Sequence, residues 1–328
     1  MFELITSHAK SVLPGLSVLH GLPGLVVALL CAAFCLIGPS ASLAAEPAVQ
    51  VGPIWSSGAV SVLTIQDVPG DMSVDIFSGP ASQEERAKYF QAGKAPAGVN
   101  AFLIQVQGQA AGEKPLNMLV DAGFGMAGAS KLMQGLAAAG VAPEQVDFVL
   151  LTHMHGDHIG GLLSAEGQRV FPNAGIMVAR IEKDYWTGKS SQTPNPENAA
   201  LATKVLEAYS SGLPQPFEFG KLTLPALTAK AGFAVEALDA SGHTPGHTVF
   251  MLDAAGQKLM IIGDLVHAAA LQFALPEECA RYDVDVPQAV KARKRILALA
   301  AEQEIEIAGM HIPFPGNGKV AVQFRLLH

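Results

Sequence analysis

A short apolar run, Asp-Phe-Val-Leu-Leu-Thr at 147–152, leads directly into Thr152-His153-Met154-His155-Gly156-Asp157-His158. Four side chains with ligand atoms stand within six residues, a density that no ordinary surface loop requires. His153 and His155 are two apart, so extended backbone points both to one side. Asp157 and His158 follow as the chain turns into an expected helix at Ile159-Gly160-Gly161-Leu162. One cation can take His153 and His155, and a second Asp157 and His158. Imidazole and carboxylate suit zinc, manganese, iron or cobalt alike. The fold must therefore end a buried strand where further ligands can converge.

The remaining histidines meet that demand. Of ten in the chain, His8 and His20 lie near the N-terminus and His328 is last; the other seven all fall in short Gly-rich or strand-terminal strings. Gly242-His243-Thr244-Pro245-Gly246-His247-Thr248 holds two histidines four apart in a turn, each able to serve as a ligand. The apolar string 259–262 delivers Gly263-Asp264 at the end of a strand, and His267 follows three residues on. Gly309-Met310-His311 follows an expected strand at 305–308, and Asp121-Ala122-Gly123 follows one at 116–120.

Together these strings resemble the metallo-β-lactamase superfamily over about residues 60–315. The resemblance implies an α/β fold, a four-layer αββα sandwich forming a single domain at 46–328. It implies two divalent metal ions, zinc first, held by His153, His155, Asp157, His158, His247, Asp264 and His311, with Asp264 as the bridge. Asp121 is then a carboxylate holding a ligand histidine, and His243 is structural, hydrogen-bonded to its loop. Asp157, Asp264 and His267 are the residues expected at the chemistry. Two cations about 3.5–4 Å apart share a water and bring its pKa towards about 7, for attack on a carbonyl or phosphorus.

The strings THMHGDHIGGL, FPNA at 171–174, Glu182 to Trp186, SGHTPGHT, GQKLMIIGDL, AALQF at 269–273 and HIPFPG at 311–316 resemble an exported methyl parathion hydrolase-like branch, with lactonases and aryl esterases among its relatives. Asp264, with no cysteine in the ligand set, speaks against β-lactam hydrolysis. Residues 312–328 leave no room for the basic C-terminal extension of glyoxalase II. Leu265-Val266-His267-Ala268 stands where persulfide dioxygenases carry an Arg-rich string, and RNA-processing members need further domains. His267 occupies the place of a substrate-contacting tyrosine in quorum-quenching lactonases, where parathion hydrolase is apolar. This favours a lactone or aryl ester, with an organophosphate triester as the alternative; a glyoxalase II-like thioesterase and a non-hydrolytic iron redox enzyme are further alternatives. Phe124, Trp186, Phe273 and Phe314 are candidates for an apolar pocket wall.

Residues 21–37 form a nearly unbroken apolar run with Lys10 upstream and small residues downstream. Residues 1–45 thus read as an export signal cleaved near Ala44 or Ala45, placing the mature chain in the periplasm or outside the cell; a retained anchor is the alternative. Cys31 and Cys35 fall inside that segment, so Cys279 has no partner for an internal disulfide and reads as a small buried apolar residue. A net charge of −8 argues against nucleic acid as partner. A small apolar ester or lactone is the expected partner, without a membrane once the signal is removed, and a homodimer is expected from the family.

Half the residues are apolar and only 15% charged, enough for a sizeable core. Strands are expected at 60–65, 73–77, 101–106, 116–120, 147–152, 176–179, 235–238 and 319–327, with a hairpin of 248–253 and 258–262 turned at 254–256. Helices are expected at 126–139 and 287–301. The polar stretch 187–200 is either a surface connection or a lid. Lys291, Arg293, Lys294 and Arg295 read as the solvated face of the second helix.

Overall fold

Strands whose two faces are both covered read as continuous apolar runs, and successive side chains along them enter different cores. In the computed structural model this separation is complete. Met118 and Val120 face one core while Leu119, between them, faces another; Leu259 and Ile261 face the first while Met260 and Ile262 face a third. The structure describes residues 48–108, 112–125, 129–188, 195–210, 216–222, 232–321 and 326–327. The expected export signal lies outside the described residues.

The strands are β1 (Val51–Ser57), β2 (Val60–Ser73), β3 (Phe77–Ser78), β4 (Lys94–Val106), β5 (Leu116–Val120), β6 (Phe148–Leu150), β7 (Gly175–Met177), β8 (Gly220–Lys221), β9 (Phe233–Asp239), β10 (Thr248–Ala254), β11 (Gln257–Ile261), β12 (Cys279–Ala280), β13 (Glu306–Ala308), β14 (Asn317–Val320) and β15 (Leu326–Leu327). One sheet runs β1-β2-β4-β5-β6-β7 and the other β15-β14-β13-β11-β10-β9-β8, with β12 paired to β3 alone. The central core lies between the two sheets, where Phe102, Ile104 and Met118 meet Val235, Phe250 and Leu259. Helices Leu132–Ala138 and Pro196–Ala208 cover the outer face of the first sheet, through Leu136 and Val205. Helix Val286–Glu302 covers the second, through Ile296 and Leu297. This is the αββα sandwich. Among the described residues no helix is long and apolar enough to cross a membrane.

The pairing β5-β6-β7 is parallel, as is β11-β13, while β9 and β10 run antiparallel, as do β10 and β11. The carboxyl ends of β5, β6, β9, β11 and β13 therefore lie towards one edge, the usual place for a site in an open α/β sheet.

Several expected elements change extent. β1 was not expected at all, and β2 and β4 run well past 60–65 and 101–106, because Gly and Pro at Pro53, Pro69, Pro96 and Gly98 mask them. The chain breaks at 74–76 into a 3-10 turn, so 73–77 is not one strand. The helix expected at 126–139 is described only over Leu132–Ala138, and residues 126–128 lie outside the described set. So do residues 189–194 of the expected lid and 322–325 of the last strand; the helix that follows the lid starts at Pro196, capped by Asn195. The hairpin turn is Ala255 and Gly256, both at positive φ. On helix Val286–Glu302, Lys291 and Arg295 are exposed as expected, but Arg293 is buried at 1% exposure.

Gly135 shows how tightly the first helix seats. A Cβ there would overlap Cγ2 of Ile65, a fully buried side chain whose β-branching restricts its χ1. Alanine normally favours a helix interior over glycine by about 1 kcal/mol, yet here overpacking outweighs propensity. Gly135→Ala is expected to lower unfolding stability in urea by about 1–3 kcal/mol; a stability gain would show that the helix can lift off β2.

Candidate metal centre

Each site segment leaves the carboxyl end of a strand and is then held by backbone chemistry. After β5 the chain passes through Asp121 at φ 57, a left-handed conformation that aspartate tolerates better than most residues. Its carboxylate accepts from Thr152 N (2.8 Å) and Thr152 Oγ1 (2.7 Å), and Oδ2 lies 2.6 Å from His158 Nδ1. Asp121 thus stands behind a histidine of the cluster, where it was expected, and burial raises its carboxyl pKa against the pull of His158. After β11, Gly263 adopts φ 55, and a Cβ there would meet His247 Nε2 at 2.6 Å and Thr152 Cβ at 2.9 Å. Glycine at that point lets Asp264 enter the cluster.

The Asp264 carboxylate collects the imidazoles. Its Oδ2 lies 3.2 Å from His311 Nε2, 3.3 Å from His243 Nε2, 3.3 Å from His267 Nε2 and 3.8 Å from His153 Nε2, and its Oδ1 lies 3.1 Å from His158 Nε2. His155 Nδ1 is 2.9 Å from both His153 Nε2 and His243 Nε2. Asp157 Oδ2 is 3.5 Å from His311 Nε2 and 3.7 Å from His158 Nε2. The ligand atoms of His153, His155, His243 and Asp264 lie mutually within 4.8 Å, and so do those of Asp157, His158 and His311.

The donor set fits two divalent cations. Nε2 of His153, Nδ1 of His155 and Nε2 of His243 converge within 3.2 Å of one another, and His158 Nε2 and Asp264 Oδ1 are buried without a hydrogen-bond partner. Orphaned buried polar atoms of this kind call for an ion or water. Burial lowers the pKa of His153 and His155 well below the ordinary value, leaving neutral imidazoles. Burial also opposes charge on His158 and His311, but the Asp264 and Asp157 carboxylates outweigh it, raising His158 well above 6.5 and pushing His311 up to about 9. Burial would raise Asp264, yet His158, His311 and His153 hold it well below the carboxylate range.

The two histidines of the turn exchange the places expected for them. His243 points Nε2 into the cluster and gives Nδ1 to Asp283 Oδ1 at 2.8 Å. His247 faces away: Nδ1 meets Ala240 O at 3.1 Å, and Nε2 accepts the Asp264 N–H at 3.0 Å. Four-residue spacing in a turn does not put two side chains on one face, and nothing inside the string distinguishes them. The distinguishing partner, Asp283, lies 40 residues further on. With both ring nitrogens engaged by backbone, His247 is a support for Asp264, and burial lowers its pKa to about 3.

Glu182 is a second residue whose part was not foreseen. Oε1 accepts from Met154 N (2.9 Å) and Trp186 Nε1 (2.6 Å), while Oε2 accepts from Thr244 Oγ1 (2.7 Å) and Gly246 N (2.9 Å). One buried carboxylate thus ties the His153–His155 loop to the His243 turn. Burial raises its pKa, against those four hydrogen bonds.

The cluster forms the floor of a cavity of about 360 Å³, whose walls include Met72, Phe124, Asn198 and Tyr282. Of the four proposed wall aromatics only Phe124 lines it. Trp186 is buried edge-on to His155, Phe273 belongs to the core under the second sheet, and Phe314 packs on Gly52. His267 lines the cavity too, but is 1% exposed rather than at the rim, stacked on His311 with centroids 5.4 Å apart. Neither of its ring nitrogens has a well-formed hydrogen-bond partner, and burial lowers its pKa. No lysine or arginine lines this cavity among the described residues.

Comparison with known proteins agrees with this architecture. The structure resembles the hydrolase AbOPH of the beta lactamase superfamily, with 27% identity, TM-score 0.69, and 82% of this chain and 93% of that one covered. It resembles AidC, described as a dizinc quorum-quenching lactonase, with 24% identity, TM-score 0.71, and 84% and 95% coverage. A probable metal-dependent hydrolase from Staphylococcus aureus shares 22% identity at TM-score 0.66, with 83% and 96% coverage. The mouse metallo-beta-lactamase domain-containing protein 1 is 44% identical over 62 residues, 19% of this chain; the match spans about a fifth (21%) of that relative's length. The family description "Metallo-beta-lactamase superfamily" matches residues 95–303, more than half of the sequence, and the chain belongs to that superfamily.

Proposed function

We propose that this chain is a metal-dependent hydrolase of small uncharged lactones or aryl esters. The observation that carries the reading is the cavity: a floor of metal donors, walls with Met72, Phe124, Asn198 and Tyr282, and no lysine or arginine among the described residues that line it. The description of AbOPH as a hydrolase supports a hydrolytic reaction, and that of AidC as a lactonase favours a lactone. Residues 1–45 serve as the export signal in this reading, and the first residue of the mature chain, read by N-terminal sequencing, tests that part.

The residues divide the work. His153, His155 and His243 would hold one cation and Asp157, His158 and His311 the other, with Asp264 between the groups. Divalent cations so held, zinc first, would lower the pKa of water towards about 7 and would polarise an attacked carbonyl. Asp121 keeps His158 oriented through Nδ1. Phe124 and Tyr282 exclude water and take the apolar part of the substrate. His267, neutral through burial and free of backbone bonds at its ring, takes the proton given up by the attacking water and returns it to the leaving alkoxide, ending neutral again.

Purified chain with added zinc is expected to turn over dihydrocoumarin, an acyl-homoserine lactone or phenyl acetate faster than methyl paraoxon, and Asp264→Ala is expected to fall to the buffer rate. Two bound metals per chain with no turnover on any of these would remove the substrate assignment and leave the metal centre standing. Zinc uptake is also expected to release protons at neutral pH. The metal-free pKa values of His158 and His311 are raised, so both are protonated there and the cation must displace a proton from each. Affinity then weakens as pH falls. Calorimetry in two buffers of different ionisation enthalpy reads the release, and uptake without protons would sink this donor assignment.

A further inference from the structure

Helix Val286–Glu302 carries a guanidinium that never reaches solvent. Arg293 Nε donates to Leu265 O at 2.6 Å, and Nη1 donates to Pro276 O at 2.8 Å and Glu278 O at 3.0 Å. Its Nη2 lies 3.4 Å from Asp283 Oδ2. An arginine buried this deeply is expensive unless its donors are matched, and here they are matched by carbonyls of the segment that carries Asp264, His267 and Asp283. Leu265 is the residue directly after Asp264. The Asp283 carboxylate is shared, since its other oxygen, Oδ1, stands 2.8 Å from His243 Nδ1. His243 Nε2, on the far side of the ring, lies 2.9 Å from His155 Nδ1 and 3.3 Å from Asp264 Oδ2.

We propose that Asp283, anchored by Arg293, is a positioning residue that holds His243 as the Nδ1–H tautomer and aims its Nε2 lone pair at the cation. A carboxylate can only accept, so the ring nitrogen facing it must be the protonated one. Nε2 is directed into the cluster, 3.3 Å from Asp264 Oδ2, and is the nitrogen left to offer its lone pair when a cation stands there. The same arginine fixes the carbonyl next to Asp264, so one buried side chain sets both the turn histidine and the central carboxylate. Outer partners of this kind raise ligand basicity and orient the ring, and their loss typically weakens metal binding by about 10–100-fold. This inference rests on the metal centre proposed above and not on its substrate.

The test uses the full chain and zinc, with competition against a chromophoric chelator. Asp283→Asn is expected to weaken zinc binding about 10–100-fold and to shift the visible bands of the cobalt-substituted protein, with the thermal unfolding of the metal-free protein retained. Wild-type zinc affinity with an unchanged cobalt spectrum would overturn the proposal. Should the variant fail to fold, the metal-free wild type decides: a long-range ¹H–¹⁵N spectrum, with His243 assigned by comparison with His243→Gln, should show Nδ1–H. An Nε2–H tautomer there would overturn the proposal. A wild type that binds no zinc defeats both the metal centre and this inference, whereas zinc bound normally without turnover removes only the substrate reading.

Discussion

A single carboxylate organises the site. Asp264 stands within 3.8 Å of imidazole nitrogens from His153, His158, His243, His267 and His311, which arrive from four separate stretches of chain. Without that negative charge the rings would crowd one another in a dry space, and without the rings the carboxylate would be buried alone, which costs far more than folding leaves to spare. Everything that places Asp264 follows from this. Gly263 turns the strand end inward, His247 receives the Asp264 N–H, and Arg293 grips the next carbonyl.

The sandwich delivers these groups because its layers have different tasks. Alternation along β5 and β11 sends neighbouring residues into separate cores, which fixes both strands in register and leaves their carboxyl ends at the same edge. The loops beyond those ends are then short and heavily bonded. Asp121, Glu182 and Asp283 each accept from two or more groups behind the cluster, so the loops owe their shape to buried acceptors as well as to apolar packing.

Much of this was legible in the sequence. The strand DFVLLT and the HxHxDH string state a strand end and a ligand cluster outright, and the Gly-Asp and late His strings mark two more strand ends. What stayed hidden depended on contacts far apart in the chain. Which histidine of Gly242–Thr248 faces inward is decided by Asp283, 40 residues away. Arg293 shares a helix turn with three other cations, and only carbonyls at 265, 276 and 278 make it a buried residue. β1 and the ends of β2 and β4 carry Gly and Pro, whose tertiary pairing overrides their local preference. The aromatic wall failed for a related reason, since bulk and polarity do not tell a core ring from a cavity ring.

The Glu182 bridge makes the metal cup a finished vessel and not a hinged one. Its bonds from Met154 N on one side and from Thr244 Oγ1 and Gly246 N on the other join the His153–His155 loop to the His243 turn through protein alone. In small zinc domains the ion drives folding itself and the empty chain collapses. Here Glu182 ties the two loops together by bonds that involve no cation.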